Sequence, residues 1–216
     1  MAASDANDTR IAAALVQGLH ELAIDLDPLQ RERLLAYIAL LQRWNRAFNL
    51  TAVRDPLAMV PRHLLDSLSI WRWVDQGPVL DVGTGAGLPG IPLAIARPGL
   101  SFTLLDSNRK KTRFVQQAVG ELGLDNVEVL AARVERLDRP GHYARITSRA
   151  FAALGDMVIA SRPLLAAGGA WLAMKGQVEV AELDGLPAGL HHQVLSLPAI
   201  GPAAERHLVR ISRPDE

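Results

Sequence analysis

The sequence predicts an α/β protein in which a seven-stranded, mostly parallel sheet with a terminal antiparallel hairpin follows an N-terminal helical extension. Three observations support this prediction. Apolar residues recur at helical spacing through the first third of the chain. From Val79 onward, short apolar runs each end in Gly or Asp and precede a helical stretch, which is typical of βαβ units. The last two apolar runs are too close together for a crossover helix, and this predicts a hairpin.

We expect the helical extension to occupy residues 1–76. Its first helix is predicted from an apolar stripe made of Ile11, Leu15, Leu19 and Leu22. The second begins at Asp27-Pro28-Leu29-Gln30, which offers an N-cap, a proline at the first helical position and a capping-box glutamine. Its buried face would consist of Leu34, Ile38 and Leu41. A third helix is predicted to follow Asp55-Pro56 and run towards Trp73, with a bend at Pro61.

The sheet domain is expected over residues 77–216, and both parts should form one compact unit. Five strands alternate with helices, at Val79–Val82, Phe102–Asp106, Val127–Ala131, Arg145–Ser148 and Ala170–Met174. Two more, near Gln193–Leu197 and at His207–Ile211, flank a Pro/Gly-rich turn and should form the hairpin at the sheet edge. This order of elements is that of the Rossmann-like methyltransferases, an analogy of fold alone.

Composition narrows the function classes. The 216 residues include no cysteine, which excludes disulfides, thiolate zinc sites and a cysteine nucleophile, and favours the cytoplasm. Lys plus Arg and Asp plus Glu number 23 each, so a nucleic-acid surface would have to be a local patch. No run of about 18 apolar residues predicts a transmembrane helix. His191-His192 lacks acidic partners, so we expect no metal, and we expect a monomer.

A glycine loop and a following acid indicate a nucleoside cofactor. The strand Val79–Val82 leads into Gly83-Thr84-Gly85-Ala86-Gly87, where glycines permit positive φ and close approach of a ligand. A helix is predicted over Leu88 to Ala96. The next strand ends at Asp106, whose carboxylate can accept hydrogen bonds from both hydroxyls of a ribose.

The same loop also fits the dinucleotide pattern G-x-G-x-x-G, so a nicotinamide-dependent oxidoreductase stays open as an alternative. Pro89 favours S-adenosylmethionine, because it removes an amide that a pyrophosphate would need. Asp81 favours it too, since a carboxylate before the loop suits a ligand that carries an ammonium and a sulfonium but no phosphate. Asp81 would organise the loop or pair with the ligand's ammonium.

Five collinear segments resemble those of the glucose-inhibited division protein B family. They are Trp44-Asn-Arg-Ala-Phe-Asn-Leu-Thr51, Arg62-His-Leu-Leu-Asp-Ser67, Asp81-Val-Gly-Thr-Gly-Ala-Gly-Leu-Pro-Gly-Ile-Pro92, Ser148-Arg-Ala-Phe151 and Lys175-Gly176. The resemblance runs from about Leu22 to Glu205-Arg-His-Leu-Val209. It implies S-adenosylmethionine-dependent methylation of N7 of a guanine, nucleotide 527, in bacterial 16S ribosomal RNA, acting on that RNA or on a ribosomal subunit precursor.

The resemblance also implies site residues. The cofactor contacts would be Gly83, Gly85, Gly87, Leu88, Asp106, Ser107, Val134, Glu135 and Arg149. Two of these have alternative interpretations. Glu135 and Arg133 can equally form a solvated ion pair, and Arg149 can form a salt bridge to Asp81 or Glu135. As positioning residues, Arg149 and Lys175 would flank the target base, whose N7 and O6 accept hydrogen bonds from cations.

Absent residues inform the reaction class. Ser148-Arg149-Ala150-Phe151 stands where methyltransferases acting on amino groups often carry an Asn-Pro-Pro-Tyr type segment, and there is no cysteine for attack on a base carbon. Guanine N7 has a lone pair and no proton, so its methylation needs no general base and depends on alignment. A protein that binds the cofactor or RNA without turnover is the remaining alternative.

The RNA surface is predicted from local charge. Arg109, Lys110, Lys111 and Arg113 follow Asp106 at the start of a helix, and Arg46 and Arg62 stand in the extension with Arg43 and Arg54. Each such side chain, taken alone, is more often merely solvated. His63 and Asp66 share a helix face, as a catalytic pair or as a structural tie. For Trp44, Phe48, Trp71 and Trp73, core packing is favoured over base stacking.

Overall fold

The computed structural model describes residues 2–149, 151, 153–198 and 205–214. Ala150 of the predicted Ser148–Phe151 segment lies outside the described residues, as does most of the Pro/Gly-rich turn before the last strand. The helical extension begins with α1, Ala2–Glu21, and α2, Pro28–Phe48. Both helices confirm the sequence prediction. Asp27 Oδ1 accepts from the Gln30 amide at 2.8 Å, and Gln30 Oε1 accepts from the Asp27 amide at 2.9 Å, which completes the capping box.

The third helical segment is less regular than predicted. It consists of α3, Pro56–Met59, a π-helical turn, Val60–Leu65, and α4, Asp66–Leu68, followed by a 3₁₀ turn, Trp71–Trp73. The π turn begins next to Pro61, which has no amide hydrogen to donate to the helix. Such insertions leave carbonyls free for partners outside the helix and often lie at functional sites.

The sheet domain contains seven strands and four helices among the described residues. The strands are β1 Val79–Val82, β2 Phe102–Asp106, β3 Val127–Ala131, β4 Tyr143–Ser148, β5 Leu165–Lys175, β6 His191–Ser196 and β7 His207–Ser212. The helices are α5 Gly90–Ala96, α6 Arg109–Leu122, α7 Leu154–Ser161 and α8 Val180–Asp184. Short 3₁₀ turns occupy Val134–Arg136 and Arg162–Leu164.

The strand order is β3-β2-β1-β4-β5-β7-β6, with β1 to β5 parallel and β7 antiparallel to both neighbours. This confirms the predicted parallel sheet and edge hairpin. The bounds of β1, β2 and β3 are those predicted, but β4 and β5 begin earlier. The register between β4 and β5 shifts between Tyr143 and Arg145. Residues 166–169 of β5 bulge out of the pairing there, and Gly168 has φ of 68°. Helix α5 also begins two residues later than predicted, at Gly90.

Two hydrophobic clusters cover the two faces of the sheet. The larger cluster joins α1, α2 and the third helical segment to α5, α6 and one sheet face, and the smaller one lies under α7 on the other face. Trp44, Trp71 and Trp73 pack against the larger cluster, as predicted. The prediction was wrong for Phe48, which is 44% exposed because it stacks on the outer side of Trp44 at the end of α2.

Candidate active site

The glycine loop between β1 and α5 has the backbone geometry that only glycine adopts readily. Gly83, Gly85 and Gly87 have φ of 70°, 61° and 90°, in the left-handed region. A Cβ built on Gly83 would meet no atom within 4 Å. The space in front of the loop is therefore open, and Gly83 itself lines a cavity at the carboxyl ends of β1, β2 and β3.

Asp81 organises this loop from beneath. Its carboxylate is fully buried and accepts from Thr84 Oγ1 at 2.6 Å, the Gly90 amide at 3.0 Å and Thr147 Oγ1 at 3.2 Å. Burial raises the pKa of Asp81 to about 6, and the hydrogen bonds oppose that rise. Of the two predicted roles for Asp81, the contacts support organising the loop.

The amides at the start of α5 are used within the protein. Gly90 N donates to Asp81 Oδ2, Ile91 N donates to the Gly87 carbonyl at 2.7 Å, and Pro92 has no amide hydrogen. A pyrophosphate at a glycine-rich loop binds to free amides at a helix N-terminus. Here the first turn has none to offer, and this removes the support for a dinucleotide.

The cavity brings together five of the predicted cofactor residues: Gly83, Asp106, Ser107, Val134 and Glu135. Asp106 lies at the end of β2, where its carboxylate accepts from the Gly85 amide at 2.9 Å and the Asn108 amide at 2.8 Å. Each oxygen keeps a lone pair for a further donor such as a ribose hydroxyl. Gly87 and Leu88 are buried behind the loop and, like Gly85, do not line the cavity.

Arg133 and Glu135 both line the cavity and are exposed. In the described part of the chain no ion pair joins them. The alternative of a solvated pair therefore has no contact to support it. Phe151, which the cofactor prediction did not include, also lines this cavity and supplies an apolar ring.

Arg149 follows β4 and is tied to the extension, not to the partners named as alternatives. Its Nε lies 3.2 Å from Asp66 Oδ2, and its Nη2 donates to the Arg62 carbonyl at 3.0 Å. The alternative interpretation of Arg149, a salt bridge to Asp81 or Glu135, is therefore wrong, because Asp66 reaches the guanidinium from the neighbouring helix. Among described residues, Arg149 Nη1 has no hydrogen-bond partner although it is buried.

Lys175 ends β5, as predicted, and its ammonium is held at the same edge of the sheet. Its Nζ donates to the Phe151 carbonyl at 3.2 Å and to Glu182 Oε1, on α8, at 2.6 Å. Ser148 Oγ, at the end of β4, is buried with no hydrogen-bond partner among the described residues. Unpaired buried polar atoms are rare, and those near this edge fit a ligand that carries polar groups.

The predicted RNA residues form two groups. Arg109, Lys110, Lys111 and Arg113 lie in the first turns of α6, capped by Asn108, and all but the partly buried Lys111 are exposed. Cations are unfavourable at the positive end of a helix dipole, so their presence suggests an anionic partner. Arg46 and Arg62 are exposed in the extension. Arg43 and Arg54, in contrast, bind Glu121 and the end of α2.

His63 and Asp66 do not contact each other as a catalytic pair would. His63 Nε2 lies 2.8 Å from Thr51 Oγ1, and Nδ1 lies 2.9 Å from the Arg62 carbonyl. Burial, with the nearby charge of Arg149, lowers the pKa of His63 to about 4. The contacts of both residues instead join parts of the chain, in line with the other interpretation that their spacing allowed.

Sequence reasoning missed three polar residues that shape the site. Tyr37, on α2, donates from its buried hydroxyl to the Ala86 carbonyl in the glycine loop at 2.7 Å. Thr84 and Thr147 hold Asp81. The signal for Tyr37 was a hydroxyl within the apolar stripe of α2, since a buried hydroxyl must find a partner.

Comparison with known proteins identifies the family of this chain. The profile of the rRNA small subunit methyltransferase G family matches residues 30–209. The protein of that name from Chromohalobacter salexigens is 53% identical over 93% of this chain and 97% of its own length. The chain belongs to the rRNA small subunit methyltransferase G family. Its relative from Stenotrophomonas maltophilia is 50% identical over 94% of this chain and 96% of its own length.

Solved structures agree on the fold of this rRNA small subunit methyltransferase G family member. A protein from Corynebacterium glutamicum superposes with a TM-score of 0.60 at 18% identity and covers 93% of this chain and 96% of its own. A precorrin-6y C5,15-methyltransferase from Geobacter metallireducens has a TM-score of 0.54 at 15% identity, over 69% of this chain and 88% of its own. At these identities only the Rossmann-like methyltransferase fold is shared. S-adenosylmethionine is the cofactor of the family.

Within the described ranges, no three His, Cys, Asp or Glu side chains stand together as a metal site would require. In the same part of the chain, no helix combines the length and apolar character needed to cross a bilayer.

Proposed function

We propose that this rRNA methyltransferase transfers the methyl group of S-adenosylmethionine to N7 of guanine 527 in 16S ribosomal RNA. Its family membership over nearly the whole chain carries the proposal. The cavity at the carboxyl ends of β1 to β3 supports a nucleoside donor. The amides at the start of α5 are already hydrogen-bonded within the protein, which supports a donor without phosphates.

The residues at this edge fit the cofactor. Asp106 would accept from the ribose hydroxyls, while Val134 and Glu135 would border the adenine. Gly83 leaves the space beside the loop open. The buried Nη1 of Arg149 suits the carboxylate of the cofactor's amino-acid end. Asp81, Gly85, Gly87 and Leu88 would then act through the shape of the loop.

The reaction requires mainly that the protein align the methyl group of the cofactor with guanine N7. The bound cofactor supplies an electrophilic methyl group on a sulfonium. Guanine N7 presents a lone pair and no proton, so no side chain has to remove one. Holding two reactants in line can supply several kcal/mol of the barrier. We assign Arg149 and Lys175 to positioning, since Asp66 and Glu182 fix their side chains at the carboxyl edge of the sheet.

The substrate surface would combine the basic start of α6 with the exposed Arg46 and Arg62 of the extension. Their partners are backbone phosphates of small-subunit rRNA or of a ribosomal subunit precursor. We propose that the enzyme acts as a monomer in the cytoplasm, where ribosomal subunits are assembled.

A filter assay with tritium-labelled S-adenosylmethionine and unmodified small-subunit rRNA tests this function. The labelled methyl group should be retained on the RNA, with 16S RNA that already carries the modification as the control. If the amount of retained label only equals the amount of bound protein, and protease digestion releases the label, the protein binds the cofactor without turnover. Stabilisation of the protein by NAD in place of S-adenosylmethionine would indicate the oxidoreductase.

A further inference from the structure

Asp66 holds two arginines from different parts of the chain. Its carboxylate, in the first turn of α4, is 6% exposed. Arg149, after β4, places Nε 3.2 Å from Oδ2, and Arg206, directly before β7, places Nε 2.9 Å from Oδ1. One carboxylate balances one guanidinium, so this cluster carries a net positive charge. A partly buried cation without a counter-charge is costly, and an anion at this place would stabilise it.

The two arginines differ in exposure and in their other contacts. The Arg149 side chain is 21% exposed, and its Nη2 is bound to the Arg62 carbonyl. The π turn makes this bond possible, because the Asp66 amide donates to the His63 and Pro61 carbonyls instead of to Arg62. Arg149 is thus fixed by Asp66 and the Arg62 carbonyl, and its buried Nη1 has no hydrogen-bond partner among the described residues.

Arg206 is the outer member of the pair. Its side chain is 37% exposed, and its Nη1 lies 3.6 Å from the position that a Cβ on Gly176 would occupy. Gly176 directly follows β5, so this guanidinium stands at the carboxyl edge of the sheet beside Lys175. With Nε fixed by Asp66, part of a planar group that can bind phosphate in a forked geometry remains accessible to solvent.

We propose that Arg206 is a contact for an RNA backbone phosphate next to the methylated base, and that Asp66 positions Arg206 for the RNA and Arg149 for the cofactor. The inference rests on the proposed function and adds two residues to it. The methyl-transfer reaction brings two anions to this edge, a cofactor carboxylate and an RNA phosphate, and the two differently exposed arginines match them. Lys175 is already bound to Glu182, which leaves Arg206 as the better placed cation for the RNA.

The test measures binding without turnover, with the demethylated cofactor present and a 16S rRNA fragment as probe. Arg206→Ala should weaken RNA binding roughly tenfold and lower the slope of log affinity against log salt by about one counterion. Its affinity for the cofactor, measured by calorimetry, should stay within twofold of wild type. Arg206→Lys, which keeps the charge, should recover most of the salt slope.

Arg210→Ala is the matched control, because Arg210 lies in β7, the strand that follows Arg206, but lines a different cavity at the opposite end of the sheet. It should leave both affinities unchanged. Asp66→Asn should weaken both cofactor and RNA binding. If Asp66 positions Arg206, Asp66→Asn should lose its effect on RNA binding in the Arg206→Ala background. If Asp66 is purely structural, Asp66→Asn should lower the melting temperature and keep its effect on RNA binding in that background.

If the wild-type protein methylates the RNA but Arg206→Ala keeps the RNA affinity and salt slope of wild type, the inference is overturned. An equal loss in Arg210→Ala would overturn it too, since it would show a diffuse charge effect. Failure of the wild-type protein to methylate the RNA would instead contradict the proposed function, so the two failures are distinguishable.

Discussion

Asp81 and His63 are buried ionisable residues, and their shifted pKa values change the free energy of unfolding with pH in opposite directions. Burial lowers the pKa of His63 to about 4 and raises that of Asp81 to about 6. Between about pH 4 and 6.5 the unfolded chain binds more protons at His63 than the folded one does, so the contribution of His63 falls as the pH falls. At Asp81 the folded chain binds more protons between about pH 4 and 6, so its contribution falls as the pH rises.

The two effects therefore oppose each other in wild type, and replacing His63 should separate them. We expect the free energy of unfolding of wild type minus that of His63→Gln to increase as the pH rises from 4.5 to 6.5. Urea unfolding at several pH values measures this difference. A difference independent of pH would show that His63 is not buried in its neutral form.

The glycine loop gives a second prediction at the residue scale. Gly85→Val should abolish the rise in melting temperature caused by S-adenosylmethionine, because a β-branched residue does not adopt φ of 61° and would reshape the loop. Gly141→Val is the control, since Gly141 has φ of 62° and lies outside the cavity. It should lose similar stability but keep the shift. Normal cofactor stabilisation of Gly85→Val would show that the loop is not the binding site.

At the scale of single elements, local signals determined how much could be predicted. The capping box at Asp27 and the bounds of the buried strands β1 and β2 follow from short-range chemistry, so they could be predicted from the sequence. The start of β5 depends on pairing with β4 across an irregular register, and the π turn depends on the packing of α1 and Arg149 against it. Such long-range partners leave no periodic pattern in the sequence.

The basic start of α6 is the element for which a phosphate contact is predicted. Replacing Lys110 and Lys111 with alanine should weaken RNA binding and lower the salt slope by about two, one for each lost contact, with cofactor affinity unchanged. Arg162→Ala serves as control, because this exposed arginine precedes β5 at the opposite edge of the sheet. An unchanged salt slope in the double variant would indicate merely solvated lysines.

On the scale of the whole molecule, the extension is part of the site and not an appendage. Tyr37 binds the glycine loop, Gln30 Nε2 donates to the Ile95 carbonyl, and Asp66 holds Arg149. We therefore propose that residues 1–76 and 77–216 unfold as one unit. Of the site residues that sequence reasoning missed, Tyr37 depends on this docking, which no single motif reveals.

Tyr37→Phe tests the docking. It leaves the buried Ala86 carbonyl unpaired, which costs about 1–3 kcal/mol, and it should also weaken cofactor binding. Tyr143→Phe is the control, because that hydroxyl bonds Thr103, on β2, away from the loop, and its loss should affect stability alone. Thermal unfolding followed by fluorescence, mainly from tryptophans of the extension, and by far-UV circular dichroism should give coincident transitions. A fluorescence transition at lower temperature would show that the extension unfolds separately.

The product nucleoside tests the central claim most directly. Unmodified 16S rRNA, or the small subunit containing it, is incubated with the protein and S-adenosylmethionine, digested to nucleosides and analysed by mass spectrometry. Strand cleavage at 7-methylguanosine then maps the position. The account predicts one 7-methylguanosine per RNA, at nucleotide 527. A methyl group on any other atom, or at any other nucleotide, would contradict it.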